Sequence, residues 1–239
     1  MLDDDRRPGA DVLEALPIFP LPNAVLLPGM MLPLNVFEPR YLALVDHVLE
    51  QGGFMGIPLL RPGYQDDYDG RPKHEEVLGL GRLVSHQPLA DGRRFIRVEG
   101  LGRVRALEEL PARAKFRELR VEVLPESEPH DEHQLEVLKA QLERIGSTLE
   151  CDDTQMVHSV LKIPDTRLML YAVTAIMPTL GFLAHGDRVS NGRPALLDLQ
   201  QRSLAADDAD GRVEVLIECV ASICDALGDD GRWPRRMWN

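Results

Sequence analysis

Cysteine is scarce in this sequence. Cys151, Cys219 and Cys224 form no C-x-x-C, and pairing two of them would strand the third. That excludes a disulfide framework and a cysteine-based zinc site, and leaves reduced thiols. Basic charge is also short: 27 Lys and Arg against 39 Asp and Glu give a formal net charge of −12. Phosphate neutralisation needs a basic surface, so a general nucleic-acid binder is excluded. Basic residues interleave with tryptophan only in RWPRRMWN, within a basic and aromatic tail expected over 229–239. Long apolar runs are missing as well. The longest, Leu168 to Met177, falls short of the roughly 20 residues a membrane span needs and suits a buried helix. The opening MLDDDRRPGADVLEA is charged and has no apolar h-region, which predicts a flexible tail over 1–13, no secretory signal and a cytoplasmic location.

Catalytic motifs are missing too. Gly79-Leu-Gly81 and Gly100-Leu-Gly102 each lack the third glycine and the strand-to-helix setting of a dinucleotide fingerprint, and no G-x-x-x-x-G-K-[ST] occurs. No serine sits in G-x-S-x-G, and H-E-x-x-H is absent. His130-Asp-Glu-His133 stands at an expected helix start, where the acids favour the dipole and the histidines face water. Asp66, Asp67, Asp69 and His74 lie in one acidic loop without a fixed ligand geometry. Asp207-Asp-Ala-Asp210-Gly211 fails the calcium-loop pattern, because alignment on the glycine puts Ala206 first and Ile217 twelfth. No catalytic residue, metal or cofactor is therefore expected.

What is present is a proline-punctuated apolar stretch, LPIFPLPNAVLLPGMMLPLNVFEPRY, from Leu16 to Tyr41. Prolines that regular forbid a helix or a central strand. Leu16–Leu21 and Met31–Phe37 read as strands, with a turn at Pro28-Gly29. Glu38 and Pro39 then open an amphipathic helix whose apolar face is Tyr41, Leu44, Val45, Val48 and Leu49, closed by Gly52-Gly53.

Phe54–Leu60, Val77–His86, Arg93–Glu99, Arg103–Leu107 and Lys115–Leu124 follow as strands, with an exposed loop over Arg61–Glu76, a hairpin turn at Asp91-Gly92 and a tight bend at Gly100-Leu-Gly102. At Pro125–His130 the apolar period changes to three-four spacing. Helices are predicted over Asp131–Leu149, Met156–Leu161, Thr166–Met177, Pro194–Leu204 and from Val213 to Leu227, with Asp165 capping the third, Pro178 stopping it and Gly228 ending the last. The class is α+β. A β-domain over 14–126 carries one helix, and a helical subdomain over 127–228 follows it.

Two binding surfaces suggest themselves. Val25, Leu26, Leu27, Met30, Met31 and Leu32 crowd across turns where not all can be buried, and methionine suits surfaces that accept varied partners. With Phe37 and Tyr41, the residues Leu26, Leu27, Met30, Met31 and Leu32 form a candidate peptide-binding face. The alternative is RNA or a small ligand held by Arg93, Arg94, Arg97, Arg103 and Arg105, a local basic cluster in an acidic chain.

The opening stretch, followed by VLGLGRLV, RRFIRVEGLGRVRA and FRELRVEVLPE, resembles the amino-terminal substrate-binding domain of Lon-type ATP-dependent proteases, in the form found in small stand-alone proteins. The resemblance covers Glu14 to Glu126 closely and the helical remainder loosely. It implies a PUA-like twisted β-domain followed by a helical bundle. It also implies a role in holding unfolded or client proteins, in quality control, with a protease or chaperone as a possible associate. The 239 residues leave no room for an AAA+ module and contain no nucleotide loop or Ser-Lys peptidase motif, so the resemblance carries over binding and not proteolysis.

Overall fold

A computed structural model describes residues 7–148, 151–185, 189–190 and 193–227. They separate into two compact units, one ending at Pro125 and one beginning at Glu126. The first holds helix α1 (Ala10–Glu14), strands β1 (Leu16–Ile18) and β2 (Met31–Val36), helix α2 (Pro39–Glu50), and strands β3 (Phe54–Ile57), β4 (Val77–Pro88), β5 (Arg94–Glu109) and β6 (Arg117–Val123). The α+β class expected from the change of period is the class observed.

The six strands run in the order β2-β5-β4-β3-β1-β6, and β6 also pairs with β5, so the sheet closes on itself. Closure depends on the length of β5. Its first half pairs with β2 and its second half with β6, while β4 follows it along the other side. The tight bend expected at Gly100-Leu-Gly102 is instead continuous strand, with shifts of register against β4 at Leu80/Gly81 and Leu83/Ser85. Such irregularities bend a strand and strengthen its twist, which a small closed sheet requires. Strand β1 lies parallel to β3 and antiparallel to β6.

Helix α2 forms where its sequence predicts, except that Leu49, expected on its apolar face, is exposed. Pro39 occupies the first turn, and at the other end Gly52 and Gly53 take positive φ, with the Gly53 N–H donating to the Val48 carbonyl at 2.9 Å. Its apolar face, Tyr41, Leu44, Val45 and Val48, packs with Val36, Ile96 and Val98 from the inner face of β2 and β5. A second cluster, including Leu16, Ile18, Leu78, Leu80, Val104 and Leu119, fills the closed sheet, with Val12 and Leu13 of α1 against it. Each such side chain contributes about 1.5–3 kcal/mol relative to exposure.

The second unit holds α3 (Glu132–Thr148), α4 (Cys151–Leu161), α5 (Thr166–His185), the short pair β7 (Val189–Ser190) and β8 (Arg193–Pro194), α6 (Ala195–Ala205) and α7 (Ala209–Leu227). Asp165 caps α5, its Oδ1 accepting from the backbone of Arg167 at 3.0 Å and Leu168 at 3.2 Å. A hydrogen bond from the Arg167 side chain holds that carboxyl below its ordinary pKa. Pro178 does not stop α5, contrary to expectation, and the helix continues to His185. An internal proline costs about 3 kcal/mol. Met177 and Leu180 on either side are fully buried, and their packing outweighs that cost. Among the described residues no helix is long and apolar enough to cross a membrane. The 229–239 tail and Gly228 lie outside the described residues.

Candidate functional site

Strand β2 carries the candidate face. Its burial alternates, with Met31, Pro33 and Asn35 exposed while Leu32 and Leu34 are half-buried and Val36 is buried. One row therefore faces water and the other faces α2. Phe37 follows, separated from the helix by Glu38, and is 63% exposed; Met31, at the other end of the row, is 51% exposed. Across the pleat, Glu99, Arg97 and Phe95 of β5 stand opposite Met31, Pro33 and Asn35. Directly opposed residues share a face, so half-buried Phe95 joins the outer row.

The seven residues named from the sequence divide three ways. Met31 and Phe37 are exposed, and Met30 and Leu32 are half-buried. Leu26, Leu27 and Tyr41 are core residues with at most 7% exposure, and the Tyr41 ring stacks on Phe19 at 4.1 Å. Burial raises the Tyr41 hydroxyl to about 12. Leu26 and Leu27 become buried because the chain before β2 lies against glycine backbone. A Cβ on Gly79 would stand 2.2 Å from the Leu26 carbonyl oxygen, and one on Gly100 only 2.1 Å from that of Leu27. The apolar crowding that suggested a wholly exposed face is resolved by this crossing. Phe95 was missed, although the alternation Phe95-Ile96-Arg97-Val98 would have placed it on the outer row.

Strand β2 is also an edge, pairing only with β5 among the named strands. The Gly100 N–H donates to the Met30 carbonyl at 2.8 Å, so Met31 and Glu99 form a non-hydrogen-bonded pair. The backbone groups of Met31, Pro33 and Asn35 then point away from β5. Pro33 has no N–H to offer there, which blunts the edge against addition of another strand.

The arginine cluster does not assemble. Arg93 pairs with Asp91, Arg94 with Asp46 and Arg105 with Glu122. Arg103 is buried, its Nη2 donating to the Pro125 carbonyl at 3.1 Å. Of these five, Arg97 is exposed on the outer row with no ion pair among the described residues. The RNA reading is left without a converging basic surface.

The acidic groups set aside as metal candidates serve local structure. Asp67 Oδ2 accepts from the Arg71 N–H, and Asp208 Oδ1 accepts from the Gly211 N–H in the first turn of α7. Asp210 accepts from the backbone of His130 and Asp131 and lies 3.0 Å from His130 Nδ1. His74 Nδ1 lies 2.7 Å from the Glu75 carbonyl, an acceptor, so the neutral ring donates there. Burial lowers the pKa of His74 below 6.5, opposed by the bond to Glu75. The unfolded chain thus binds the proton more readily. Its contribution to stability is present above about pH 6.5 and lost as pH falls through the lowered value. Urea midpoints should fall between about pH 7 and about pH 5, and His74→Gln should flatten that slope; an unchanged slope in the variant would assign the dependence to other groups.

Known proteins share this architecture. The family model described as the ATP-dependent protease La (LON) substrate-binding domain matches residues 15–181. Lon protease 2 of Sorangium cellulosum is 31% identical over 230 residues, covering 93% of this chain and 26% of that protein. Lon protease 2 of Myxococcus xanthus is 26% identical over 139 residues, covering 57% and 16%. The chain thus spans about a quarter or less of these relatives. Among solved structures, a Lon N-terminal domain protein from Xanthomonas campestris superimposes with a TM-score of 0.59 at 24% identity, covering 85% of this chain and 97% of that one. The N-terminal domain of Mycobacterium avium complex Lon protease gives 0.60 at 18%, covering 87% and 98%. These likenesses establish the fold, and the family match, spanning well over half of the residues, establishes membership: the chain belongs to the Lon substrate-binding domain family.

Proposed function

We propose that this protein is a non-catalytic binding module that holds exposed apolar segments of client proteins in quality control, in the cytoplasm and in association with a protease. The observation that carries this reading is the outer row of β2, where Met31 and Phe37 are both more than half exposed at the ends of a blunted edge strand. A client segment lies on this face through apolar contact with Met31, Phe37 and Phe95. Pro33 disfavours its addition as a further strand. Leu26, Leu27 and Tyr41 support the face from the core instead of touching the client. Catalysis is assigned elsewhere because the similarity to Lon proteases falls on their substrate-binding domain.

The test is binding of a reduced, carboxymethylated unfolded protein. Hydrogen exchange in residues 16–60 should slow on its addition. The double variant Met31→Asp, Phe37→Asp should bind about tenfold more weakly, with an unchanged thermal midpoint because both side chains are exposed. Equal affinity in the variant, with no protection in residues 16–60, would sink the reading.

A further inference from the structure

A small cavity of about 120 Å³ opens beside the start of α2, and its wall is unusually cationic for so acidic a chain. Arg40, Arg71, Lys115 and Arg117 line it together with Asp69, over an aromatic floor of Tyr41 and Phe116. Three of the cations are held in place by other groups. The Arg40 Nε donates to Glu38 at 2.9 Å and its Nη1 to the Tyr68 carbonyl at 3.1 Å, while its guanidinium lies over the Tyr41 and Tyr68 rings at 4.8 and 5.1 Å. Arg117 grips Glu109 through Nε and Nη2, both at 2.8 Å, and reaches the Pro72 carbonyl through Nη1 at 2.9 Å. Arg71 Nη1 lies 3.3 Å from the same Glu109 and donates to the Leu110 carbonyl. Lys115, exposed at the cavity, has no acidic partner among the described residues.

Donors remain after these bonds. A guanidinium has five N–H groups, and the contacts of Arg117 leave one on each Nη. Arg40 Nη2 is buried without an aligned hydrogen-bond acceptor, although it lies 2.8 Å from Glu38 Oε2. Charge decides what such a site accepts. Arg40, Arg71, Lys115 and Arg117 against Glu38, Asp69 and Glu109 leave one positive charge in surplus, which matches a single negative charge and would be overrun by a phosphate dianion. Size agrees, because the volume admits a group of a few atoms. Planar guanidinium donors suit a carboxylate, and the aromatic floor suits its aliphatic stem.

We propose that this cavity takes one peptide carboxylate, from an Asp or Glu side chain or a C-terminus, belonging to a client held on the adjoining face. Phe37 stands directly before Glu38 in the chain, and Glu38 holds the cavity's Arg40, so the apolar row and the cavity are joined through two neighbouring residues. The inference rests on the client-binding reading above and adds to it an acidic anchor next to an apolar segment.

The test uses the full chain and three acetylated hexapeptides: Ala-Leu-Phe-Ser-Leu-Ala with a free C-terminus, the same peptide amidated, and the amidated peptide with Glu in the last position. At least one carboxylate-bearing peptide should bind about tenfold more tightly than the neutral one, and which of the two does so identifies the source. The gap should close in Lys115→Gln with Arg71→Gln. Both side chains are exposed, and Lys115→Gln alone serves if the pair impairs folding. Three equal affinities on the unmodified protein, or a gap that survives the substitutions, overturns the cavity. Binding that ignores the carboxylate yet is lost in the Met31→Asp, Phe37→Asp variant overturns the cavity alone and leaves the client face standing. Carboxylate-dependent binding indifferent to that variant supports the cavity and removes the apolar face. No binding of any peptide overturns both.

Discussion

Gly100→Ala is expected to lower the thermal midpoint of the β-unit by on the order of 10 °C, from a loss of about 3 kcal/mol. Gly102→Ala, two positions along the same strand, should leave it within about 2 °C. The contrast follows from what each new Cβ meets. At Gly100 it would stand 2.1 Å from the Leu27 carbonyl oxygen and 2.9 Å from that carbonyl's carbon. Those are backbone atoms, fixed on both sides: the Gly29 N–H donates to the Gly100 carbonyl at 2.8 Å, and the Gly100 N–H donates to the Met30 carbonyl at 2.8 Å. No rotamer change relieves the overlap. The crossing chain must lift, and Leu26 and Leu27, at 1% and 2% exposure, must lift with it. At Gly102 a Cβ meets nothing within 4 Å. Differential scanning calorimetry on the two variants decides the matter. Equal midpoints would mean that the crossing segment is not held against β5.

The strands and the first helix were legible because local chemistry decides them. Proline and glycine positions confine Leu16 to Tyr41 to short extended pieces, and Tyr41, Leu44, Val45 and Val48 repeat at the spacing of one helix face. The glycines of β4 and β5 were not legible in the same way. Gly79-Leu-Gly81 and Gly100-Leu-Gly102 look like broken nucleotide loops in one dimension. The reason for Gly79 and Gly100 is a chain crossing over them, brought there from a distant part of the sequence. The candidate face was half legible for the same cause. Leu26 and Leu27 look too crowded to bury until the glycine floor is known, whereas the exposure of Met31 and Phe37 follows from alternation along β2. The cavity was hidden more completely. Arg40, Arg71 and Lys115–Arg117 lie far apart in sequence, and each taken alone is an ordinary surface cation. The family resemblance was close up to Glu126 and loose over the helices, and the match reaches residue 181. Amphipathic helices repeat one spacing in unrelated bundles, so their residues carry less that is specific to a family.

Arg212→Ala is expected to destabilise the helical unit by about 3 kcal/mol, although nothing in the sequence marks this arginine out from its neighbours on α7. Its side chain is fully buried. The guanidinium stacks on the Tyr171 ring at 4.1 Å, its Nε donates to the Ser203 carbonyl at 3.1 Å, and its Nη2 lies 3.6 Å from Glu126 Oε2. The Tyr171 hydroxyl donates to the other oxygen of Glu126 at 2.9 Å, so one carboxylate is shared by a ring and a cation. Truncation removes the stacked plane, the cation beside the Glu126 carboxylate and the Nε donor to the Ser203 carbonyl, and the loss of these polar contacts costs more than the lost area. Arg212→Lys should recover little, because an ammonium neither stacks flat nor spans the two acceptors. Arg212→Met combined with Glu126→Gln should recover more than half of the loss, since a buried charge pair replaced by groups of similar volume is often close to neutral. Urea unfolding of the four proteins, followed by hydrogen exchange in residues 126–227, reads the result. If the single and double variants are equally unstable, the arginine acts through packing, and the charge argument fails.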